Sequence, residues 1–183
     1  MLNTRLFRAF LTSLCVLLAT QCVPAAATVR ASFYSKEFGA TFPHAFITVV
    51  GVVDSSGEKV DASYGFTAKS VSPALLMHAV PGEVVSSDPK YIASSNRHFM
   101  MTLNDEQYAA LVATVAKWRD SPQPSYDLNK RNCVFFVADI AAALGLKAET
   151  PKALMKKPRS YLQSLVAANR EILTARGDVI DDK

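Results

Sequence analysis

The sequence has few of the residues that build metal and nucleotide sites: three cysteines, three histidines and seven glycines among 183 residues. No Cys-x-x-Cys or His-x-x-x-His spacing occurs, which excludes the common zinc motifs. A glycine-rich phosphate loop and a Gly-x-Ser-x-Gly turn are also missing, which excludes a P-loop nucleotide site and an α/β serine hydrolase. The sequence therefore predicts neither a metal ion nor another cofactor.

Charge is also limited, because only 20% of the residues are charged while 50% are hydrophobic. This composition is typical of a globular domain and excludes a wholly disordered chain, a collagen repeat and a disulfide-dense miniprotein. The excess of four basic residues is too small to predict a nucleic-acid partner, and the small basic cluster at Lys152, Lys156, Lys157 and Arg159 is more simply a solvated helix face.

The first 27 residues have the three parts of a secretory signal. Arg5 and Arg8 give a positive start, residues 10–23 are mostly apolar, and the small residues before and including Ala27 suit a signal peptidase. We expect cleavage after Ala27 and a periplasmic location. Polar residues within the apolar run argue against a membrane anchor, so no stable membrane insertion is expected after cleavage.

Cysteine usage changes when this segment is removed. Cys15 and Cys22 leave with it, so Cys133 becomes the sole cysteine, and the basic excess falls to two. Lipidation of Cys22 is an alternative, but Gln21 is too large for the preceding position of a lipobox. An exported protein normally pairs its cysteines, so a lone thiol is either an inert core residue or a nucleophile.

Hydrophobic patterning predicts one α+β domain over residues 28–176, an antiparallel sheet packed against helices, followed by a polar, frayed tail at 177–183. Predicted strands cover 29–34, 42–53, 59–67, 83–86 and 97–103, with Pro81-Gly82 punctuating the chain and 73–80 ambiguous. Predicted helices follow Asn104, cover 133–144 after Asn132, begin briefly at Thr150-Pro151, and cover 159–176.

Cys133 falls in the first turn of its predicted helix. Free amides and the positive end of the helix dipole favour a thiolate there, and the preceding Lys130 and Arg131 act in the same direction. The pattern predicts a nucleophile whose backbone N–H can help to bind an oxyanion. A packed, inert cysteine is the alternative.

A cysteine nucleophile needs a base, and three histidines are available. His44 begins the strongest predicted strand, where a polar ring suits a cleft, and it is the favoured base. His98 begins a later strand and is the alternative, whereas His78 lies in an apolar stretch and is most simply a packed or partly exposed residue.

The segment 126–146, YDLNKRNCVFFVADIAAALGL, resembles the cysteine helix of the circularly permuted papain-like superfamily, which includes NlpC-type and lecithin-retinol acyltransferase-like proteins. In permuted members the histidine strand precedes the cysteine helix, as His44 precedes Cys133 here. The resemblance implies a permuted papain-like fold and a cysteine hydrolase with Cys133 as nucleophile and His44 as general base. It also implies a third polar residue on the strand after the histidine, where Thr67 or Ser70 must serve because no carboxylate or histidine is available.

The resemblance implies an attack on an amide or acyl carbonyl in cell-wall peptides, proteins or lipids. The missing carboxylate motivates a second hypothesis, a non-catalytic envelope binding module that keeps the scaffold. A redox-sensing thiol is a third hypothesis, although the chain offers Cys133 no resolving cysteine.

Overall fold

The structure is a computed structural model that describes residues 28–37, 42–70 and 72–181. The predicted export signal at 1–27 lies outside the described residues. The seven strands are β1 Val29–Lys36, β2 His44–Val52, β3 Lys59–Ala68, β4 Val80–Val85, β5 Asn96–Leu103, β6 Ser125–Tyr126 and β7 Val179–Ile180. The four helices are α1 Pro89–Ala93, α2 Asp105–Arg119, α3 Cys133–Ala143 and α4 Pro158–Ala175, and Pro73–Leu76 forms a short 3-10 helix.

The strands form one antiparallel sheet in the order β6-β4-β3-β2-β1-β5-β7. The central hairpin β2–β3 is joined at the turn that the sequence predicted, and it pairs Phe46 with Gly65. Helix α3 packs on β2 and β3, helix α4 packs on β1 and β5, and α2 packs against α3. The predicted α+β class with an antiparallel sheet against helices is confirmed.

Local signals explain why the main helices begin where they do. Asn104 forms a capping box with Gln107 at the start of α2, each side chain bonding the other residue's backbone N–H. Asn132 caps α3, and Gly145, with φ of 86°, follows it in the left-handed region that glycine adopts most easily. These predicted helix boundaries differ from the observed ones by one residue or less at the caps.

Three predictions about local structure were wrong, and one short helix was missed. The helix expected from Thr150-Pro151 is a series of turns, and Pro81-Gly82 lies inside β4 rather than before it. Pro81 is tolerated there because it lies just beyond the last β3–β4 pair, Ala68 with Gly82, and its carbonyl still accepts from the N–H of Lys69. The short helix α1 was not predicted. The tail is not frayed at 179–180, because β7 pairs with β5.

Candidate active site

A cleft of about 660 Å³ opens beside the N-terminus of α3, and three of the predicted site residues line it. Cys133, His44 and Thr67 all line it, although they come from a helix and two different strands. The remaining lining residues are mostly apolar: Phe42, Pro43, Ala68, Leu75, Leu76, Val85, Ser86, Ser87, Asp88, Tyr91, Tyr126, Leu128, Asn132, Val134, Met155, Lys156 and Pro158. Concave, largely apolar sites of this size with a few convergent polar groups are typical of small-ligand binding.

The Cys133 side chain is buried, with 3% of the residue exposed, at the first position of α3. The backbone N–H of Ala45 lies near the sulfur and favours the thiolate, as do the N–H groups of Cys133 itself and Val134 to a smaller extent. The thiol therefore lies against the start of β2, at Ala45, the residue that follows His44 in the sequence. Burial outweighs these N–H groups and raises the pKa of Cys133 above its ordinary value.

The expectation of a lowered thiol pKa was wrong, and the position of Arg131 is part of the reason. Its guanidinium lies 4.1 Å from the centre of the Trp118 ring and 5.4 Å from that of Phe66, so it stacks on aromatic rings. Lys130 is exposed. Neither cation is among the groups that shift the thiol, and desolvation decides the direction.

Asn132 uses its whole side-chain amide to fix the start of α3. Its Oδ1 accepts from the N–H of Val134 at 2.8 Å, and its Nδ2 donates to the carbonyls of Leu128 at 2.9 Å and Met155 at 2.8 Å. Leu128 and Met155 both line the cleft. One buried amide thus joins the cysteine helix to two walls of the site.

His44 is partly buried at the first position of β2, and its ring is stacked on Phe46 with centroids 6.1 Å apart. Loss of hydration on burial lowers the pKa of His44 to about 4, so the imidazole is neutral at pH 7. Among the described residues no hydrogen bond joins the imidazole to the Cys133 sulfur. The site therefore holds a neutral thiol and a neutral imidazole rather than an ion pair.

The two candidates for a third residue differ in position. The register that pairs Phe46 with Gly65 continues to place Thr67 beside His44, and Thr67 lines the cleft. No hydrogen bond joins Thr67 to the His44 ring within the described part of the chain. Ser70 is exposed and is not among the cleft residues.

The other two histidines lie away from the cleft. His98 is buried, and its Nε2 lies 2.8 Å from the hydroxyl oxygen of Ser35. His78 is exposed, and its Nδ1 lies 2.9 Å from the carbonyl oxygen of Ala79. Neither residue lines the cleft.

Sequence reasoning missed Tyr126. Its hydroxyl donates to the Cys133 sulfur at 3.9 Å, and burial raises the pKa of this phenol, which stays protonated. A turn in which Asp127 pairs with Arg131 folds the chain back and brings Tyr126 to the thiol. The side chain of Asp127 accepts from the N–H of Asn129, a turn for which the Asp-x-Asn sequence was a usable signal.

The described residues lack two further classes of feature. These residues contain no group of three or more histidine, cysteine or acidic side chains able to hold a metal ion. They also contain no helix with the length and apolarity needed to cross a membrane.

Comparisons with known proteins give a likeness of fold. No protein-family model matches the sequence, and a search of curated protein sequences finds no match. Among solved structures, the chain is similar to the type VI secretion system effector TseH, with a TM-score of 0.50 and 15% sequence identity. The match covers 79% of this chain and 90% of that chain. At this identity the likeness concerns the fold alone.

Proposed function

We propose that this protein is an exported cysteine hydrolase, distantly papain-like and permuted in its order of elements, that attacks an amide or acyl carbonyl. The observation that carries the proposal is that Cys133 and His44, chosen from the sequence, line one cleft, with the cysteine helix packed on the histidine strand. The antiparallel sheet supports it as well.

The reaction begins with a neutral Cys133 thiol and a neutral His44 imidazole. As the Cys133 sulfur attacks the carbonyl carbon, the His44 imidazole takes the thiol proton, so that charge develops only in the transition state. A base with a pKa of about 4 is weak, which fits concerted proton transfer better than a resting ion pair.

The tetrahedral intermediate carries an oxyanion, which needs donors in a site of low polarity. The N–H of Cys133 is one candidate donor, and the hydroxyl of Tyr126 is a second that can turn from the sulfur to the oxygen. The imidazolium then protonates the leaving amine or alcohol, which departs and leaves a thioester on Cys133. Water deprotonated by His44 attacks this thioester, releases the acid and restores the thiol.

The decisive experiment uses Cys133→Ala and Cys133→Ser with two substrate classes, cell-wall peptides and simple acyl esters. We expect the wild type to show turnover and an acyl adduct on Cys133 by mass spectrometry, and both variants to lose both signals. Turnover that persists in Cys133→Ala would exclude this mechanism. Circular dichroism of the three proteins checks that both variants fold, so that a loss of turnover can be attributed to the missing thiol.

Export rests on the N-terminal segment alone and has its own test. We expect a periplasmic fraction to contain a shortened chain beginning at Thr28, and Arg5 and Arg8 changed together to glutamate to block that processing. An unprocessed chain that stays in the cytoplasm would refute export while leaving the proposed chemistry untouched.

A specific observation favours a second candidate, a non-catalytic binding module. The thiol has a raised pKa, and the imidazole makes no hydrogen bond to a side chain among the described residues. Under this alternative the cleft still binds its ligand, and Cys133→Ala binds it as tightly as the wild type without any acyl adduct forming in either.

A further inference from the structure

Glycine at position 65 is not required by the backbone. Gly65 lies within β3, opposite Phe46, and it is not among the glycines with positive φ. Glycine weakens the interior of a strand because it loses more conformational freedom on folding and contributes no side-chain packing. A glycine in this place therefore marks a close approach by another group.

The group that approaches Gly65 is the imidazole of His44. A β-carbon at position 65 would stand 2.5 Å from Nε2 and 3.4 Å from Cε1 of His44, and 3.2 Å from the β-carbon of Phe46. The first distance is far inside van der Waals contact, so no residue larger than glycine fits while the ring lies where it does. The ring of Phe46 is stacked on the imidazole at an interplanar angle of 11°. Gly65 and Phe46 together form what we call the seat of the His44 ring.

We propose that Gly65 is the positioning residue for His44 and that packing against Gly65 and Phe46 replaces the hydrogen-bonding third residue expected at Thr67. This inference rests on the proposed function only in giving His44 a catalytic role. The Nε2 edge of the ring faces the bare strand at Gly65.

A double-mutant cycle distinguishes two explanations for the glycine: contact between position 65 and the His44 ring, and a requirement of strand β3 that does not involve His44. Urea unfolding midpoints are measured for the wild type, Gly65→Ala, His44→Ala and the double variant. We expect Gly65→Ala to lower the midpoint in the wild-type background and to leave it unchanged or raise it when His44 is alanine. An equal loss in both backgrounds would overturn the proposal, because the clash would then lie with the strand or with Phe46.

A second readout follows the ring itself and needs no catalytic activity. In Gly65→Ala, we expect the imidazole NMR signals of His44 to shift and its titration midpoint to rise from about 4 towards the ordinary value near 6.5, because the ring leaves its buried seat. In Thr67→Ala, the same signals should stay in place. Equal shifts in the two variants, or no shift in Gly65→Ala, would refute the proposal that Gly65 positions the His44 ring.

Where turnover is observed, Gly65→Ala should lower kcat/KM by about 100-fold, mainly through kcat, since displacing a catalytic group by about 1 Å has that effect. If Gly65→Ala fails to fold, folding of the Gly65→Ala/His44→Ala protein would support the proposal, and its failure to fold would overturn it. If other evidence showed that the protein is not a hydrolase, the unfolding and NMR measurements would still test the position of the His44 ring.

Discussion

The hydroxyl of Tyr126 lies 3.9 Å from the sulfur of Cys133 and donates a hydrogen bond to it. The donor and the thiol are seven residues apart in the sequence, and the turn between them brings the two side chains into one buried contact. The phenol ring is held independently of this contact, because it stacks on Phe66 with ring centroids 5.6 Å apart.

Tyr126→Phe should therefore remove the donor without moving the ring. We expect the pKa of Cys133 to rise further and the rate of iodoacetamide alkylation at pH 8 to fall several-fold, while the unfolding midpoint changes little. Tyr161→Phe is the matched control, because Tyr161 is a buried tyrosine whose hydroxyl donates to the carbonyl of Ala148 instead. An alkylation rate that falls equally in both variants would contradict a specific role for the Tyr126 hydroxyl.

The pH profile of Cys133 alkylation tests the electrostatics of the unliganded site. Burial raises the pKa of Cys133 above its ordinary value, so native-state alkylation should be slow at neutral pH and still be rising above pH 9. The denatured chain gives the reference rate, since its thiol is exposed. A rate that reaches its plateau below pH 8 would show that a thiolate is already present and that desolvation does not dominate.

Asn132→Ala should destabilise the protein by about 2–4 kcal/mol, because it removes a helix cap and leaves the partly buried carbonyls of Leu128 and Met155 without their donors. Asn104→Ala is the control, since it removes an exposed cap from α2 and should cost about 1 kcal/mol. Urea unfolding followed by the fluorescence of Trp118, the only tryptophan, measures both values. Equal losses would mean that the bonds to Leu128 and Met155 contribute little.

Stability should fall as the pH is lowered from about 6.5 to about 4. Burial, with a smaller contribution from Arg159, lowers the pKa of His98 to about 4, although Asp181 opposes the shift. Between these pH values the unfolded chain binds the proton more tightly than the folded one, so protonation favours unfolding. His44 contributes in the same window.

His98→Gln should remove part of that pH dependence, measured as the change in unfolding free energy between pH 7 and pH 4.5. His78→Gln, a change at an exposed histidine, is the matched control and should leave the dependence as it is in the wild type. Identical pH dependence in His98→Gln and the wild type would show that His98 does not carry the effect.

Patterns that depend on neighbouring residues were predictable from the sequence. The β-branched and aromatic residues of β2 were sufficient to place His44 at a strand start, and the cap at Asn132 was sufficient to place Cys133 at a helix start. Both features are local, because periodicity and capping depend on residues a few positions apart.

Features set by the tertiary arrangement were not predictable. The thiol pKa follows from how deeply Cys133 is buried and from Arg131 turning towards Trp118, and neither is determined by adjacent residues. The seat of the imidazole depends on which β3 residue pairs with Phe46. The register indicated Thr67, yet the space that the ring fills lies over Gly65, two residues earlier.

The C-terminal segment also protects an edge of the sheet. The N–H of Asp181 donates to the carbonyl of His98, β7 pairs with Phe99 and Met100, and the carboxylate of Asp178 accepts from the N–H of Thr102. These bonds occupy backbone groups of β5 that would otherwise be available to a strand from another molecule. Removing residues 178–183 would therefore expose the backbone of β5 to pairing with a strand of another copy. We expect the shortened protein to aggregate in a concentration-dependent way.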